Sequence, residues 1–249
     1  MYGWRWGISK MSYSCNDQEG LGLPFGIQRV CLQFPSKKNR VFLVNLASDG
    51  HSRPAVLKVH PFPGPALRRE RGLLEEAERQ GLAVPRLLDH TESSLLLEFI
   101  AGETLCDLVN RELDPRPLEE LARWLADFHR RFPGLVRGDS QLKNFIWHRS
   151  RVFGIDFEEC SQGQYVEDVA GICSSILDTN PMFTPAKFEL TRTFLTMYEA
   201  LNLPIKDKQL HREIANTLRR KVRFRPGQQD TLLLQAQRIE EKGVRGLIP

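Results

Sequence analysis

Two carboxylates and one amide carry the chemistry that can be read from this sequence. Asp139 stands five residues ahead of Asn144, in the stretch Gly134 to Trp147. An apolar run, Phe145-Ile146-Trp147, follows at once. A polar turn, His148-Arg149-Ser150-Arg151, separates it from a second apolar run, Val152-Phe153-Gly154-Ile155, which ends in Asp156-Phe157-Glu158. The pattern reads as loop, strand, turn, strand, loop. A hairpin that short returns the chain to where it began, so Asp139, Asn144 and Asp156 are predicted to meet at one end. Three oxygen donors converging there suit a hard divalent cation with phosphate ligands. Mg²⁺ takes one or two protein carboxylates together with phosphate oxygens and water. The expected chemistry is phosphoryl transfer, with Asp139 accepting the proton of an attacking hydroxyl and Asn144 and Asp156 as metal ligands.

The same residues carry a family resemblance. Val136-Arg137-Gly138-Asp139 through Asn144 resembles the catalytic loop of the aminoglycoside phosphotransferase and choline kinase group. These are kinase-fold proteins that phosphorylate small molecules. Their loop usually reads His-Gly-Asp and then, after four residues, Asn. Ile155-Asp156-Phe157-Glu158 is similar to the group's metal-binding Ile-Asp-Trp/Phe-Glu. Arg137 departs from the pattern, standing where the group usually has His, as an Arg does in the corresponding loop of protein kinases. It joins Asp139 as a catalytic candidate. ATP and Mg²⁺ are the cofactors the resemblance implies.

Those residues need elements to position them. Strands are predicted over Gly26–Phe34, Val41–Leu46 and Pro54–His60, and their spacing resembles the amino-terminal lobe of a kinase fold. The first turn, Pro35 to Arg40, would cover the nucleotide phosphates through Ser36, Lys37, Asn39 and backbone amides. It lacks the Gly-x-Gly-x-x-Gly of protein kinases. Lys58, in Ala-Val-Leu-Lys, is close to the Val-Ala-Ile-Lys of a kinase third strand and would pair the α- and β-phosphates. A helix is predicted from Ala66 to Gln80, with Gly81 as its stop. Glu70, one turn in, is the best candidate to pair with Lys58, with Glu75, Glu76 and Glu78 as rivals. Ser94 to Ile100 reads as a buried strand leading into a hinge at Glu98–Glu103. Adenine would hydrogen-bond to hinge backbone, with Glu98 there and Ile100 against the ring.

Leu118 to Arg131 is a strongly amphipathic helix, and Leu125-Ala126-x-x-His129 resembles the Leu-x-x-Leu-His helix ahead of the family's catalytic loop. His129 is read as structural. Asp168-Val169-Ala170 resembles the family's Asp-Leu-Ala, whose Asp opens a helix and braces the loop; Arg137 is expected to pair with Asp168 or with Glu167. Little chain lies between Glu158 and Asp168 for an activation loop. Helices are predicted over Phe188–Ala200, Asp207–Lys221 and Gln228–Lys242. Arg219 to Arg225 is the densest basic run. It suits an acidic substrate, an anionic lipid or RNA, or is a solvated helix end.

Composition sets the bounds. The chain has 249 residues and a formal charge of +4, compatible with an acidic ligand such as ATP and too small to argue for nucleic acid. The five cysteines, odd in number and without a Cys-x-x-Cys pair, suggest neither a zinc site nor a disulfide framework. No apolar run is long enough for a transmembrane helix, no signal-peptide core is visible, and a cytoplasmic location is expected. The expected fold is α+β, a bilobal protein kinase-like fold. Residues 1–24 are irregular, 25–100 form a nucleotide-binding N-lobe with a small antiparallel β-sheet and one helix, and 101–249 form a mostly helical C-lobe. The expected activity is transfer of the γ-phosphoryl of ATP to a hydroxyl of a small molecule or sugar. The compact length is also similar to kinases of lipopolysaccharide-core sugars. The alternatives are a small atypical protein kinase and a non-catalytic kinase-fold binding module.

Overall fold

Alternation along one strand explains how a charged group enters the amino-terminal core. The computed structural model describes residues 25–48, 51–62, 64–201 and 205–247. The irregular segment expected at 1–24, with Trp4 and Trp6, lies outside them. The chain divides into two compact units, one built from residues 7–101 with 156–158, the other from 102–155 and 159–249 with the first six residues.

In the first unit, β1 (Ile27–Phe34), β2 (Arg40–Ser48), β3 (His51–Val59), β4 (Leu87–His90) and β5 (Ser94–Glu98) form an antiparallel sheet in the order β1-β2-β3-β5-β4. The β2–β3 ladder runs past the predicted strand ends to a Ser48–His51 pair. Side chains alternate across a pleated strand. Ala55 and Leu57 of β3 therefore join Phe42, Val44 and Leu96 in a core on one face, with Val59 packed against it. Lys58 and His60 turn to the other face, where both reach the helix α1 (Pro65–Arg79). That helix buries Leu67, Glu70, Leu74 and Ala77, a stripe at steps of three and four residues. Glu70 thus sits on the apolar stripe itself.

In the second unit, β6 (Glu103–Thr104) leads into α2 (Leu105–Glu112), whose N-cap is Thr104; its hydroxyl accepts the Asp107 N–H. The amphipathic α3 (Arg116–Arg131) buries Leu118, Leu121, Ala122, Leu125 and Phe128, the predicted face, and Trp124 besides. Then come β7 (Leu135–Val136), β8 (Phe145–His148), β9 (Arg151–Gly154) and β10 (Ser161–Gln162). β6, β8 and β9 make one small sheet and β10 with β7 another. Four helices follow: α4 (Tyr165–Leu177), α5 (Pro185–Leu201), α6 (Asp207–Val222) and α7 (Gln229–Lys242). The central α4 is buried along almost its whole length, from Val166 and Val169 to Ile176 and Leu177, and packs on α5 and α6.

The β8–β9 hairpin is the one expected between Phe145 and Ile155. Its two turn residues, Arg149 and Ser150, have φ of 47° and 59°. That left-handed pair matches the twist of the flanking strands. The molecule is therefore an α+β protein with an antiparallel amino-terminal sheet and a helical carboxy-terminal part. Among the described residues no helix is long and apolar enough to cross a membrane.

Candidate active site

In the first unit, one ammonium gathers three carboxylates. Lys58 Nζ lies 2.7 Å from Glu70 Oε2, 2.7 Å from Asp156 Oδ1 and 3.4 Å from Glu158 Oε2. The strand–helix geometry above selects Glu70 over Glu75, Glu76 and Glu78, which lie off the buried stripe. Burial alone would pull the Lys58 pKa down; Glu70, Asp156 and Glu158 outweigh it and hold the ammonium above its usual range. Burial opposes ionisation of Glu70 as well, but Lys58 dominates and lowers its pKa. Asp156 goes the other way. Burial, with Glu70 and Glu158 nearby, raises its pKa despite Lys58. Asp156 is also the most open of the three carboxylates, with 37% of its side chain exposed. Its φ is 64°, a left-handed conformation in which Asn and Asp are the best tolerated side chains after Gly.

Glu158 is tied to the first turn. Its Oε2 accepts from the Asn39 amide at 2.6 Å, and Lys38 Nζ lies 3.8 Å from Oε1. Asn39, a phosphate candidate by sequence, is buried and held by a carboxylate. Ser36 caps the turn by accepting the Asn39 N–H, and Lys37 is exposed beside it. Farther along, Glu98 accepts from the Arg86 main chain and side chain, and Ile100 is buried.

The second unit holds the loop. After β7 the chain turns at Gly138, with φ of 76°; a Cβ there would meet the Glu159 carbonyl at 2.4 Å. Only glycine fits both conditions. Asp139 comes next, and Leu142–Asn144 form a single 3₁₀ turn. The Asn144 amide donates to the Asp139 carbonyl at 2.8 Å and to Asp139 Oδ2 at 3.0 Å. Gln141 donates to Asp139 Oδ1, and Lys143 Nζ stands 3.5 Å from Oδ2. Burial tends to raise the Asp139 pKa, yet Lys143, Asn144 and Gln141 prevail and lower it. Asp139 is thus an ionised carboxylate of fixed orientation. The Asn144 carbonyl accepts the Ile155 N–H at 3.0 Å, which closes the base of the hairpin.

Asp168, in the first turn of α4, braces this loop. Its carboxylate accepts the Arg137 main-chain N–H at 2.8 and 3.0 Å, the Ser140 hydroxyl at 2.7 Å, and pairs with His129 Nε2 at 3.0 Å. His129 Nδ1 meets the Tyr198 hydroxyl at 2.8 Å. The brace is the one expected, with a correction to its donor. The main-chain N–H of Arg137, rather than its guanidinium, makes the two bonds to Asp168, and Glu167 is spent on the α4 capping box with Gln164. The Arg137 side chain is fully buried. Its guanidinium donates to the Ile155 carbonyl at 2.7 Å and lies over the rings of Phe145 (4.6 Å) and Trp124 (5.1 Å). A Cβ at Gly154 would collide with Trp124 and with Arg137, so the glycine makes room for this stack. Arg137 is accordingly a positioning residue that grips the end of the hairpin, not a group turned toward a reacting atom.

Replacing Asp168 with Ala is expected to strand several buried donors and cost about 2–4 kcal/mol. Amide exchange should accelerate at residues 140–144 and stay unchanged in the sheet β1–β5. Uniform loss of protection across both units would contradict a local brace.

Comparison with known proteins agrees with this geometry. Residues 31–137 match the phosphotransferase enzyme family. The solved structure of amicoumacin kinase hAmiN, in complex with AMP-PNP, Ca²⁺ and Ami, superposes with a TM-score of 0.60 over 88% of this chain and 89% of that one, at 14% identity. The chain belongs to the aminoglycoside phosphotransferase branch of the protein kinase-like group. Among curated relatives it is 30% identical over 90 residues to the probable serine/threonine-protein kinase BUD32 homolog of Archaeoglobus fulgidus, covering 36% of this chain and 43% of that protein. It is 28% identical over 91 residues to the EKC/KEOPS complex subunit BUD32 of Encephalitozoon cuniculi, covering 36% and 45%. The chain therefore spans less than half the length of these relatives.

Some groups escaped the sequence reading. Ser140 and Ser175, whose hydroxyl accepts the Leu142 N–H at 3.0 Å, hold the loop to α4. His60, with Nε2 3.6 Å from Glu70, joins the Lys58 cluster. No periodicity marks an isolated serine or histidine. His60 alone had a signal, since it lies two residues beyond Lys58 and so on the same face of the strand.

Proposed function

We propose that the chain moves the γ-phosphoryl group of ATP to a hydroxyl of a small molecule or sugar, with Mg²⁺ as the metal. The observation that carries this reading is the Lys58 ammonium, held at 2.7 Å by both Glu70 and Asp156. A cation fixed by one fully buried acid and one open acid suits a clamp for nucleotide phosphates. Asp139 serves as the base, or as the group that orients the acceptor hydroxyl. Its bond from Asn144 leaves that amide's oxygen turned away from Asp139, and Asp156 directly follows Ile155, which Asn144 holds. Asn144 and Asp156 therefore fit a hard cation as amide and carboxylate oxygen donors. Bound there, Mg²⁺ would neutralise charge on the phosphates. Ser36, Lys37 and main-chain amides of the first turn would cover the phosphates, with Asn39 joining them only on release from Glu158. Ile100 would pack on adenine, with Glu98 beside it in the hinge.

A protein acceptor is the second reading. It is favoured by the likeness to the archaeal probable serine/threonine-protein kinase, which spans 36% of this chain. The short stretch between Glu158 and Asp168 leaves little room for an activation segment and weighs toward the small-molecule reading. A cytoplasmic location stays part of the proposal.

Thermal unfolding with and without Mg²⁺-ATP is the first test. Binding to the native state alone stabilises by about 2.7 kcal/mol at a hundredfold excess over the dissociation constant. A metal-dependent rise, followed by label transfer from γ-labelled ATP to an added alcohol, is expected. Absence of any rise at millimolar nucleotide would sink the reading. Label appearing in the chain itself or in added protein would favour the second one.

A further inference from the structure

The basic run Arg219 to Arg225 does not form one outward face. Arg219 pairs with Glu240 of α7, and Arg220 donates to Thr217 on its own helix. Lys221 and Arg225 instead turn inward onto a single carboxylate. Lys221 Nζ lies 2.7 Å from Asp178 Oδ2 and donates to the Ser174 hydroxyl at 2.8 Å. Arg225 Nη1 lies 3.3 Å from the same Oδ2 and donates to the Asp178 carbonyl at 3.0 Å. Cations do gather in the last turn of a helix, where they meet the negative end of its dipole. That preference does not explain why two of them converge on one acid of a neighbouring helix.

This cluster stands beside the proposed catalytic loop, within the same unit. Ser174 and Ser175 are adjacent on α4. One receives Lys221 and the other holds Leu142 of the loop. Asp139 lies close enough to act on the charge of Lys221. A third cation, Lys187 of α5, is completely buried nearby. It donates to Asn110 Oδ1 at 2.8 Å and to the Thr179 hydroxyl at 2.6 Å, and senses Asp178. Burial lowers the pKa of Lys187 to about 8 and also lowers that of Lys221. Even with Lys187 neutral, Lys221 and Arg225 outnumber Asp178 and leave one positive charge in excess. Arg225 keeps 35% of its side chain exposed and Lys221 keeps 13%, whereas Asp178 is sealed at 1%. An approaching ligand therefore meets the cations and not the acid.

We propose that Arg225 and Lys221 form the acceptor subsite of this chain and bind an anionic group, a phosphate or a carboxylate, on the molecule whose hydroxyl Asp139 receives. The proposal rests on the phosphotransferase reading and gives it a substrate class: anionic alcohols rather than cationic amino sugars. A guanidinium presents paired N–H donors that match either oxyanion.

The test is calorimetric titration of the full chain with its nucleotide site filled by Mg²⁺–AMP-PNP. Glucose 6-phosphate and glucuronate are the anionic probes, and glucose and glucosamine their neutral and cationic counterparts. The anionic pair should bind at least about tenfold more tightly than glucose, since one excess charge at contact range is worth on the order of 1 kcal/mol or more. Whether phosphate or carboxylate is preferred identifies the oxyanion. Arg225→Gln should erase the preference and Arg225→Lys should keep part of it, with AMP-PNP affinity unchanged in both. Because Arg225 is partly exposed, neither substitution should unfold the chain, and the AMP-PNP titration verifies this. Glucosamine binding as tightly as the anions, no anion binding in the nucleotide-loaded wild type, or an Arg225→Gln chain with unaltered anion affinity would each overturn the proposal. Failure of the wild type to bind Mg²⁺–AMP-PNP would instead remove the phosphotransferase reading on which it stands.

Discussion

Asp156→Asn is expected to abolish phosphotransfer without weakening the fold. The activity loss should be at least about 10²–10³-fold, the scale for losing one preorganised charge-stabilising group. The unliganded protein should unfold at the same temperature or slightly higher. Asp156 shares a partly buried cluster with Glu70 and Glu158, and its ionised form is disfavoured there. Neutralising it relieves repulsion, while the amide oxygen can still accept from Lys58 at the position where Oδ1 does now. Asn also tolerates the φ of 64°. Ala lacks the local hydrogen bonding that makes this conformation acceptable for Asn and Asp, so it would add backbone strain to the loss of function. The check is a thermal melt of wild type and Asp156→Asn, each with and without Mg²⁺-ATP. Retention of the nucleotide-dependent rise in the variant, or a marked fall in the unliganded melting temperature, would contradict this account.

Lys58→Met should also abolish activity, but with a large stability loss. Removing the ammonium leaves Glu70, with a side chain only 1% exposed, facing Asp156 and Glu158 without its counter-charge. Breaking a buried pair from one side costs about 3–5 kcal/mol. That is a large share of the roughly 5–15 kcal/mol typical of a whole domain. The pH dependence gives a second signature. In the wild type, Lys58 holds the Glu70 pKa below its usual value, so this contribution is present above the ordinary carboxylate range and fades as pH falls through the lowered folded value. In Lys58→Met, burial dominates and raises the pKa of the same carboxyl. The folded state then takes up protons more readily than the unfolded chain, and stability falls as pH rises through that window. The gap between the two proteins should therefore be wide at pH 8 and narrow toward pH 5. Urea unfolding at both values measures it. A gap of equal size at both, or a loss below about 1 kcal/mol, would mean that the cluster is not an electrostatic unit.

These two substitutions touch the same contact, yet their stability effects are opposed, and that contrast was not legible in the sequence. What the sequence by itself determined is local. The alternation in β3 sets Lys58 apart from Ala55 and Leu57. The three- and four-residue steps of α1 place Glu70 between Leu67 and Leu74. The two apolar runs around Arg149-Ser150 form the hairpin that carries the chain from Asn144 to Asp156. Each follows from the fixed periods of strand and helix and from the short reach of a turn, and each agrees with the match to the phosphotransferase enzyme family.

Only the tertiary structure decided what those groups face. Asn39 is bound to Glu158, 119 residues away. The Arg137 guanidinium lies against Trp124 and Phe145, while its main chain, with Ser140 and His129, gathers on Asp168. Lys221 and Arg225 leave the other members of their basic run and close on Asp178. Local patterning determines which side of an element a residue occupies. It carries no information about which distant carboxylate, ring or carbonyl will be there to meet it. For a charged side chain that partner decides whether burial stabilises or destabilises the fold, because the desolvation cost is fixed by burial and the return depends wholly on the counter-charge.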